Sequence, residues 1–316
     1  IPLGQLVAVT GPSGSGKSTL VDKILKRALA RVLHGAKEVP GEHDAIEGAE
    51  NIGRLVVVDQ SPLGRSPRSN PATYTGAFGH IRNLFAQLPL SRQRGYAAGR
   101  FSFNVKGGRC EKCQGGGAVR IDMHFLNDVY VTCDACGGRR YNRETLEATY
   151  KGRSIADVLE LTAEEGAEFF GKVPRLSSLL DALCEVGLGY IGLGQAANTL
   201  SGGEAQRVKL ATELAKTSAE GVLYLLDEPT TGLHHHDVQV LLGVLQRLRD
   251  AGHSLVVIEH NLEVISAAEW VIDLGPGGGR HGGEVVAAGR PADLVAEGAS
   301  LTGKWLARAA RDVENT

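Results

Sequence analysis

Gly11-Pro12-Ser13-Gly14-Ser15-Gly16-Lys17-Ser18 fits G-x-x-x-x-G-K-[ST], a loop that surrounds phosphate oxygens with backbone N–H groups. No other feature restricts the fold as much. Such a loop needs a strand to deliver it and a helix N-terminus to face the anion. Both are written beside it. Leu6-Val7-Ala8-Val9-Thr10 is an unbroken apolar run, as expected of a strand buried on both faces of a parallel sheet. Leu20, Val21, Ile24, Leu25, Ala28, Leu29, Val32 and Leu33 then recur at helical spacing, with Gly35 as the stop. Further apolar runs at 55–59, 222–226, 254–258, 270–274 and 283–287 alternate with helical stretches at 201–216 and 237–249. The expectation is a largely parallel α/β sheet.

Residues 61–200 read differently, as an inserted helical subdomain between a first core part at 1–60 and a second at 201–316 with a glycine-rich C-terminal segment. Residues 61–80 are rich in Pro, Ser and Gly and read as a loop; His80–Leu88 reads as a short helix, and 155–188 as helical, acidic and partly amphipathic. Ser201 and Glu204 form an S-x-x-E capping box. The insertion also holds Cys110-x₂-Cys113-x₁₉-Cys133-x₂-Cys136, the spacing of a four-thiolate zinc site, within a module at 104–143. Four thiolates leave no open position, so the zinc would be structural, fixing a β-hairpin with alternation at Val119-Arg120-Ile121-Asp122-Met123. Cys184, the fifth cysteine, reads as inert core, and Trp270 and Trp305 as packing residues. His234-His235-His236 is not expected to bind metal, because three consecutive side chains cannot converge.

The 316-residue chain, 42% hydrophobic and 22% charged, has room for one large domain or two small ones. A net charge of −2 conceals uneven placement. Between Gln60 and Arg120 ten Arg or Lys (65, 68, 82, 92, 94, 100, 106, 109, 112, 120) stand against one acid, Glu111. A block this basic suits a polyanion, with Arg100, Lys106, Arg109, Lys112 and Arg120 as candidate DNA contacts. No apolar run approaches the roughly 18 residues of a membrane span, and no signal peptide is visible. Paired cysteines point to a reducing, cytoplasmic setting. An opening on Ile1-Pro2-Leu3-Gly4, directly before the first strand, reads as a fragment.

Within the phosphate loop, Gly11, Ser13, Gly14, Gly16 and Thr19 would cradle ATP or ADP. Lys17 would reach the outer phosphates, and Ser18 would hold Mg²⁺. Asp227 ends an apolar strand at the sheet's carboxyl edge, placed to bind Mg²⁺ directly or through water; Glu228 would orient or deprotonate the attacking water. Together with Gln60 and His260, each following a strand, and Leu200-Ser201-Gly202-Gly203-Glu204, these residues resemble the ATP-binding cassette (ABC) ATPase family. That resemblance implies that Ser201, Gly202 and Gly203 act on an ATP held by another ATPase domain. It also makes Gln60 a sensor of Mg²⁺ and water, and His260 a γ-phosphate switch.

More specifically, the chain is similar to the C-terminal ATPase half of the UvrA family, the damage-sensing components of the bacterial UvrABC excinuclease. The similarity is carried by Asp59-Gln60-Ser61-Pro62-Leu63-Gly64-Arg65-Ser66-Pro67-Arg68-Ser69-Asn70-Pro71-Ala72-Thr73-Tyr74, Cys110-Glu111-Lys112-Cys113 and Tyr141-Asn142-Arg143-Glu144-Thr145-Leu146. Asp227-Glu228-Pro229-Thr230-Thr231-Gly232-Leu233-His234, Glu259-His260-Asn261 and Gly275-Pro276-Gly277-Gly278-Gly279 complete it. It implies ATP-dependent recognition of damaged duplex DNA in nucleotide excision repair, by a dimer or with a second ATPase half. It also implies loading of the helicase-like excinuclease component UvrB by the full-length protein. Other readings remain: a paralogous or antibiotic-resistance ATPase on the same scaffold, a transporter ATPase component, which Asn261 and the cysteine module oppose, and an ATP-binding module without a DNA role.

Overall fold

The computed structural model describes residues 1–64, 66, 68–121, 129–216 and 221–314. Arg65, Pro67, Asp122 and Met123, which enter the basic count, the loop motif and the strand alternation, lie outside the described residues. The strands are β1 (Leu6–Thr10), β2 (Arg54–Val58), β3 (Ala118–Ile121), β4 (Val129–Thr132), β5 (Thr149–Tyr150), β6 (Arg153–Ser154), β7 (Val222–Asp227), β8 (Ser254–Ile258), β9 (Trp270–Gly275) and β10 (Glu284–Gly289). They fall into two units, Ile1–Gln60 with Lys216–Thr316, and Ser61–Ala215.

In the first unit β1 is central because its sequence can be nothing else. Leu6, Val7, Ala8 and Val9 are each 0% exposed, and a fully buried Leu or Val is worth about 1.5–3 kcal/mol. The six-stranded sheet runs β10-β9-β1-β8-β7-β2, parallel throughout except for the antiparallel edge strand β10. Register decides where each strand ends. Val9 pairs with Ile258, Thr10 with Asp273, and Asp227 with Ile258, so the phosphate loop, Asp227-Glu228 and Glu259-His260 all leave from the carboxyl edge. The helical segment after the loop is wound as π helix over Thr19–Lys26 and as α helix over Arg27–His34. Gly35, at φ +64°, closes it through bonds to the Ala30 and Arg31 carbonyls.

The glycine-rich segment after β9 lies directly on the phosphate loop. Gly279 N–H donates to Gly14 O at 3.0 Å and Gly283 N–H to Ser15 O at 2.9 Å. A Cβ on Gly278 would lie 2.4 Å from Ser13 O. The helix Leu301–Glu314 is anchored by Asp273, 2% exposed, whose carboxylate accepts from Thr10 Oγ1 (3.0 Å), Ser300 Oγ (2.7 Å) and Thr302 Oγ1 (2.9 Å).

The second unit is mainly helical. Where the sequence predicts one helical stretch over 155–188, three helices occur, at Ile155–Glu160, Ala163–Phe169 and Pro174–Glu185. Thr162 caps the second in a box with Glu165, and Pro174 opens the third, so each break has its own start signal. The helix expected at His80–Leu88 runs from Ala77 to Ala86, entered through Gly76 at φ +84°. An aromatic cluster joins this helix to the cysteine module: Phe78 stacks on Phe103 at 4.8 Å, Phe85 meets Phe101 at 5.6 Å, and Tyr141 Oη donates to Phe101 O at 2.9 Å. β3 and β4 pair as the expected antiparallel ladder. The helix Gly202–Leu214, opened by Ser201, lies in this unit rather than with the core part expected at 201–316.

Replacing Asp273 with Ala removes one charged acceptor from three buried hydroxyls. Hydrogen bonds to charged groups are worth about 1.5–3 kcal/mol, so the urea midpoint should drop, with Leu301–Glu314 exchanging its amides earliest.

Candidate functional site

The phosphate loop bends where only glycine bends easily. Gly11, Gly14 and Gly16 have φ of +128°, +76° and +104°, and a Cβ on Gly11 would meet Leu274 O at 2.1 Å. Lys17, 6% exposed, folds back on its own loop, donating from Nζ to Gly11 O (2.8 Å) and Pro12 O (3.0 Å). Burial draws the Lys17 pKa down, while the carboxylates of Glu228, Asp273 and Asp227 hold it up. Ser13, Gly14, Ser18 and Thr19 are exposed, as an anion cradle requires.

Asp227 and Glu228 stand at the end of β7. Burial, followed by the neighbouring Asp22, Glu228 and Asp59 carboxylates, pushes Asp227 above the usual carboxylate range; a divalent cation would relieve that crowding. Glu228 takes φ +42°, left-handed for a residue with a Cβ, a conformation costing on the order of 1–3 kcal/mol. Its amide is held by Ile258 O at 2.9 Å. Its Oε1 lies 3.6 Å from His260 Nε2, and its Oε2 accepts from Thr231 Oγ1 at 3.4 Å. Gln60 Nε2 donates to the Glu228 carbonyl at 3.4 Å. Gln60, Lys17, Asp227, Glu228 and His260 therefore gather at one sheet edge.

Glu259 has a role that the motif reading does not assign to it. It is 2% exposed, and its carboxylate accepts from three backbone amides: Thr230 (2.9 Å) through Oε1, and His260 (2.8 Å) and Asn261 (3.0 Å) through Oε2. One side chain thus fixes both the loop after Glu228 and the loop bearing His260. The sequence does carry a signal, an acid continuing a five-residue apolar strand without a break. Trp305, expected as a packing residue, is 55% exposed. It stands on the C-terminal helix beside a cavity of about 350 Å³ that Gly11, Pro12 and His260 also line.

Within the second unit, Ser201 Oγ accepts from Glu204 N at 3.2 Å and Glu204 Oε2 from Ser201 N at 2.8 Å, completing the capping box. Tyr190 Oη holds the other Glu204 oxygen at 2.8 Å. Gly202 and Gly203 open the helix there.

All five cysteines are free, and the ligand atoms of Cys110, Cys113, Cys133 and Cys136 lie within 4.8 Å of one another. Cys110 Sγ is 3.9 Å from Cys133 Sγ, and Cys113 Sγ is 3.7 Å from Cys136 Sγ. A tetrahedron with Zn–S of about 2.3 Å has edges of about 3.8 Å, so the donor set fits zinc; a disulfide needs about 2.05 Å. Gly117 N–H points at Cys113 Sγ from 3.3 Å. Burial, with the adjoining Cys113 and Cys133 thiols, pushes Cys136 up to about 12.

The basic block is less free than its count. Arg109 makes a two-pronged contact with Glu111 (3.4 and 3.3 Å). Arg100 donates to Thr145 Oγ1 at 2.8 Å and stacks over Tyr96 at 4.4 Å. Lys112 pairs with Asp134 at 2.6 Å and Arg94 with Glu147 at 2.6 Å. Folding returns carboxylates from beyond the basic window, which a windowed count cannot see. Lys106 and Arg120 are exposed, and Lys112 keeps 54% of its side-chain surface.

With this geometry in place, comparison with known proteins is direct. The chain is 63% identical over 306 residues to UvrABC system protein A of Agrobacterium fabrum, and 63% identical to that of Rhizobium meliloti, over 97% of its own length in each. It is related to UvrABC system protein A. It spans 31% of the length of these relatives. The crystal structure of UvrA2 from Deinococcus radiodurans matches it with a TM-score of 0.92 at 52% identity, over 98% of this chain and 37% of that one. No family model matches the chain. The fold class is the expected one, an α/β phosphate-loop core with an inserted helical unit carrying the cysteine quartet.

Glu259→Ala should release the amides of Thr230, His260 and Asn261, whose hydrogen exchange should accelerate while β1 and β8 stay protected. Unchanged exchange at all three would remove Glu259 from its positioning role.

Proposed function

We propose that this chain binds and hydrolyses ATP as a module of a damage-recognition protein of nucleotide excision repair, using the nucleotide to control its hold on duplex DNA. One observation carries the reading: a full set of phosphate-loop ATPase groups at one sheet edge, in a chain 63% identical to UvrABC system protein A over 97% of its length. The phosphate-loop amides and Lys17 bind the phosphates. Mg²⁺, held by Ser18, Asp227 and Gln60, supplies neutralisation of phosphate charge when bound. Glu228, fixed through its amide and its neighbour His260, accepts the proton of the attacking water. His260 follows the γ-phosphate, and the Glu259 carboxylate keeps its loop in register with the one after Glu228.

Ser201, Gly202 and Gly203 present an open helix start, suited to the γ-phosphate of an ATP held by a second ATPase half or a second copy of the chain. Zinc on the four thiolates is structural, and the exposed Lys106, Lys112 and Arg120 are the DNA-facing charges. The excinuclease component UvrB is the partner of the full-length protein. The setting is cytoplasmic; among the described residues no helix is long and apolar enough to cross a membrane.

Glu228→Gln should bind ATP normally and hydrolyse it about 10²–10⁴-fold more slowly, whereas Lys17→Ala should lose nucleotide binding. Normal turnover by Glu228→Gln would displace Glu228 as the base. Elemental analysis should find one zinc per chain, absent in Cys136→Ser, with the first unit's sheet still folded. Reversing Lys106 and Lys112 to Glu should weaken DNA binding and flatten its dependence on salt, since each lost phosphate contact removes about 0.9 from the log–log slope. An unaltered slope would move the DNA off this surface.

A further inference from the structure

Arg140 is a half-buried cation that meets no carboxylate among the described residues. It follows Cys136 by four residues, in the left-handed region at φ +69°. Its carbonyl accepts the Cys110 amide at 2.8 Å, so its backbone joins the two halves of the quartet. The guanidinium turns inward. Nη2 donates to Gly194 O at 2.9 Å, and the group lies over the Phe103 ring at 5.2 Å. Nη1 has no hydrogen-bond partner among the described residues. Arg139, next to it in the chain, is conventionally paired with Asp157. A guanidinium removed from water needs a counter-charge to be tolerated. The Arg140 stem passes beside the quartet: a Cβ on Gly117 would lie 3.2 Å from Arg140 Cγ and 3.6 Å from its Nε, and Gly117 N–H donates to Cys113 Sγ at 3.3 Å. Tyr141 is neutral, its phenol pKa pushed up by burial. The charge beside the Arg140 stem is then that of the metal-bound thiolates. Four thiolates around one divalent ion carry a net charge of −2.

The other end of the contact is placed with equal care. Gly194 N–H donates to Leu159 O at 2.7 Å, and a Cβ on Gly194 would lie 2.8 Å from that oxygen. Ala197 N–H then donates to Ser69 O at 2.7 Å, the turn Ala197–Thr199 comes next, and Ser201 caps its helix.

We propose that Arg140 is the counter-charge of the metal–thiolate cluster and a positioning residue for the helix that begins at Ser201. The metal site holds the guanidinium, and the guanidinium holds the Gly194 carbonyl at the head of the segment leading to Ser201-Gly202-Gly203. Metal occupancy is thereby felt at a helix start that supplies no ligand to the metal. This inference rests on the zinc reading given above.

The test measures zinc retention against a chromophoric chelator, and amide exchange at Gly194, Gln195 and Ala197, in the full chain. Arg140→Gln should lose zinc about 10–100-fold more readily, the usual effect of removing a partner that supports metal ligands, and should exchange those amides at least about tenfold faster. Arg140→Lys keeps the charge but not the reach, so it should retain zinc yet show the faster exchange. If Arg140→Gln does not fold, chelation of the unaltered chain decides: exchange should rise at the same amides while those of Val7 and Val9 stay protected. Zinc retention unchanged in Arg140→Gln, or protection at Gly194–Ala197 unchanged in both variants or after chelation, overturns the proposal. An unaltered chain with no metal defeats the zinc reading itself, which separates the two failures.

Discussion

The parallel register of β1 between β8 and β9 is the constraint on which the rest of the nucleotide site depends. A strand buried on both faces cannot slip by one residue without exchanging its faces, and β1 has no polar residue before Thr10 to tolerate a slip. Because Val9 lies opposite Ile258, and Ile258 opposite Asp227, the chain emerges from three strands at one level. The phosphate loop, the acidic pair and the Glu259-His260 turn are then neighbours through backbone geometry alone. Side chains refine that placement. Glu259 ties two of the loops together with one carboxylate, and Asp273 ties β1 and β9 to the C-terminal helix with another. Both are acids set beside apolar strand sequence, tolerated because their buried oxygens accept hydrogen bonds from backbone amides or hydroxyls.

Much of this is legible from residues alone. The buried strands, the phosphate loop, Gly35 as a helix stop, the Ser201–Glu204 box and the cysteine quartet depend on local spacing, and local spacing is what a sequence displays. What escapes depends on partners distant in the chain. Glu259 reads as a motif residue until Thr230 is brought to it. The break in the helical stretch at 161–162 is hidden because apolar periodicity continues across it, although Thr162 and Glu165 mark a fresh start. Trp305 looks like core by composition, yet it stands exposed beside the cavity that Thr302, one turn away on the same side of its helix, also lines.

The basic segment shows the same limit in electrostatic form. Counted in a window, it is nearly free of acids; folded, Arg109, Arg94 and Arg100 are engaged by Glu111, Glu147 and Thr145, and Lys112 by Asp134. The charge that remains for a polyanion sits on fewer and more exposed residues. Arg140 is the extreme case, a cation whose guanidinium lies over the Phe103 ring and donates to the Gly194 carbonyl.

The glycine segment resting on the phosphate loop has a consequence for ligand capture. Gly279 and Gly283 grip the loop from its rear by main-chain bonds to Gly14 and Ser15, leaving the anion-facing amides uncovered. Ordering a residue's backbone costs about 1–2 kcal/mol, and here that cost is incurred when the protein folds. An arriving nucleotide meets a receptor already shaped and still open, so its affinity is undiminished by the work of organising the loop.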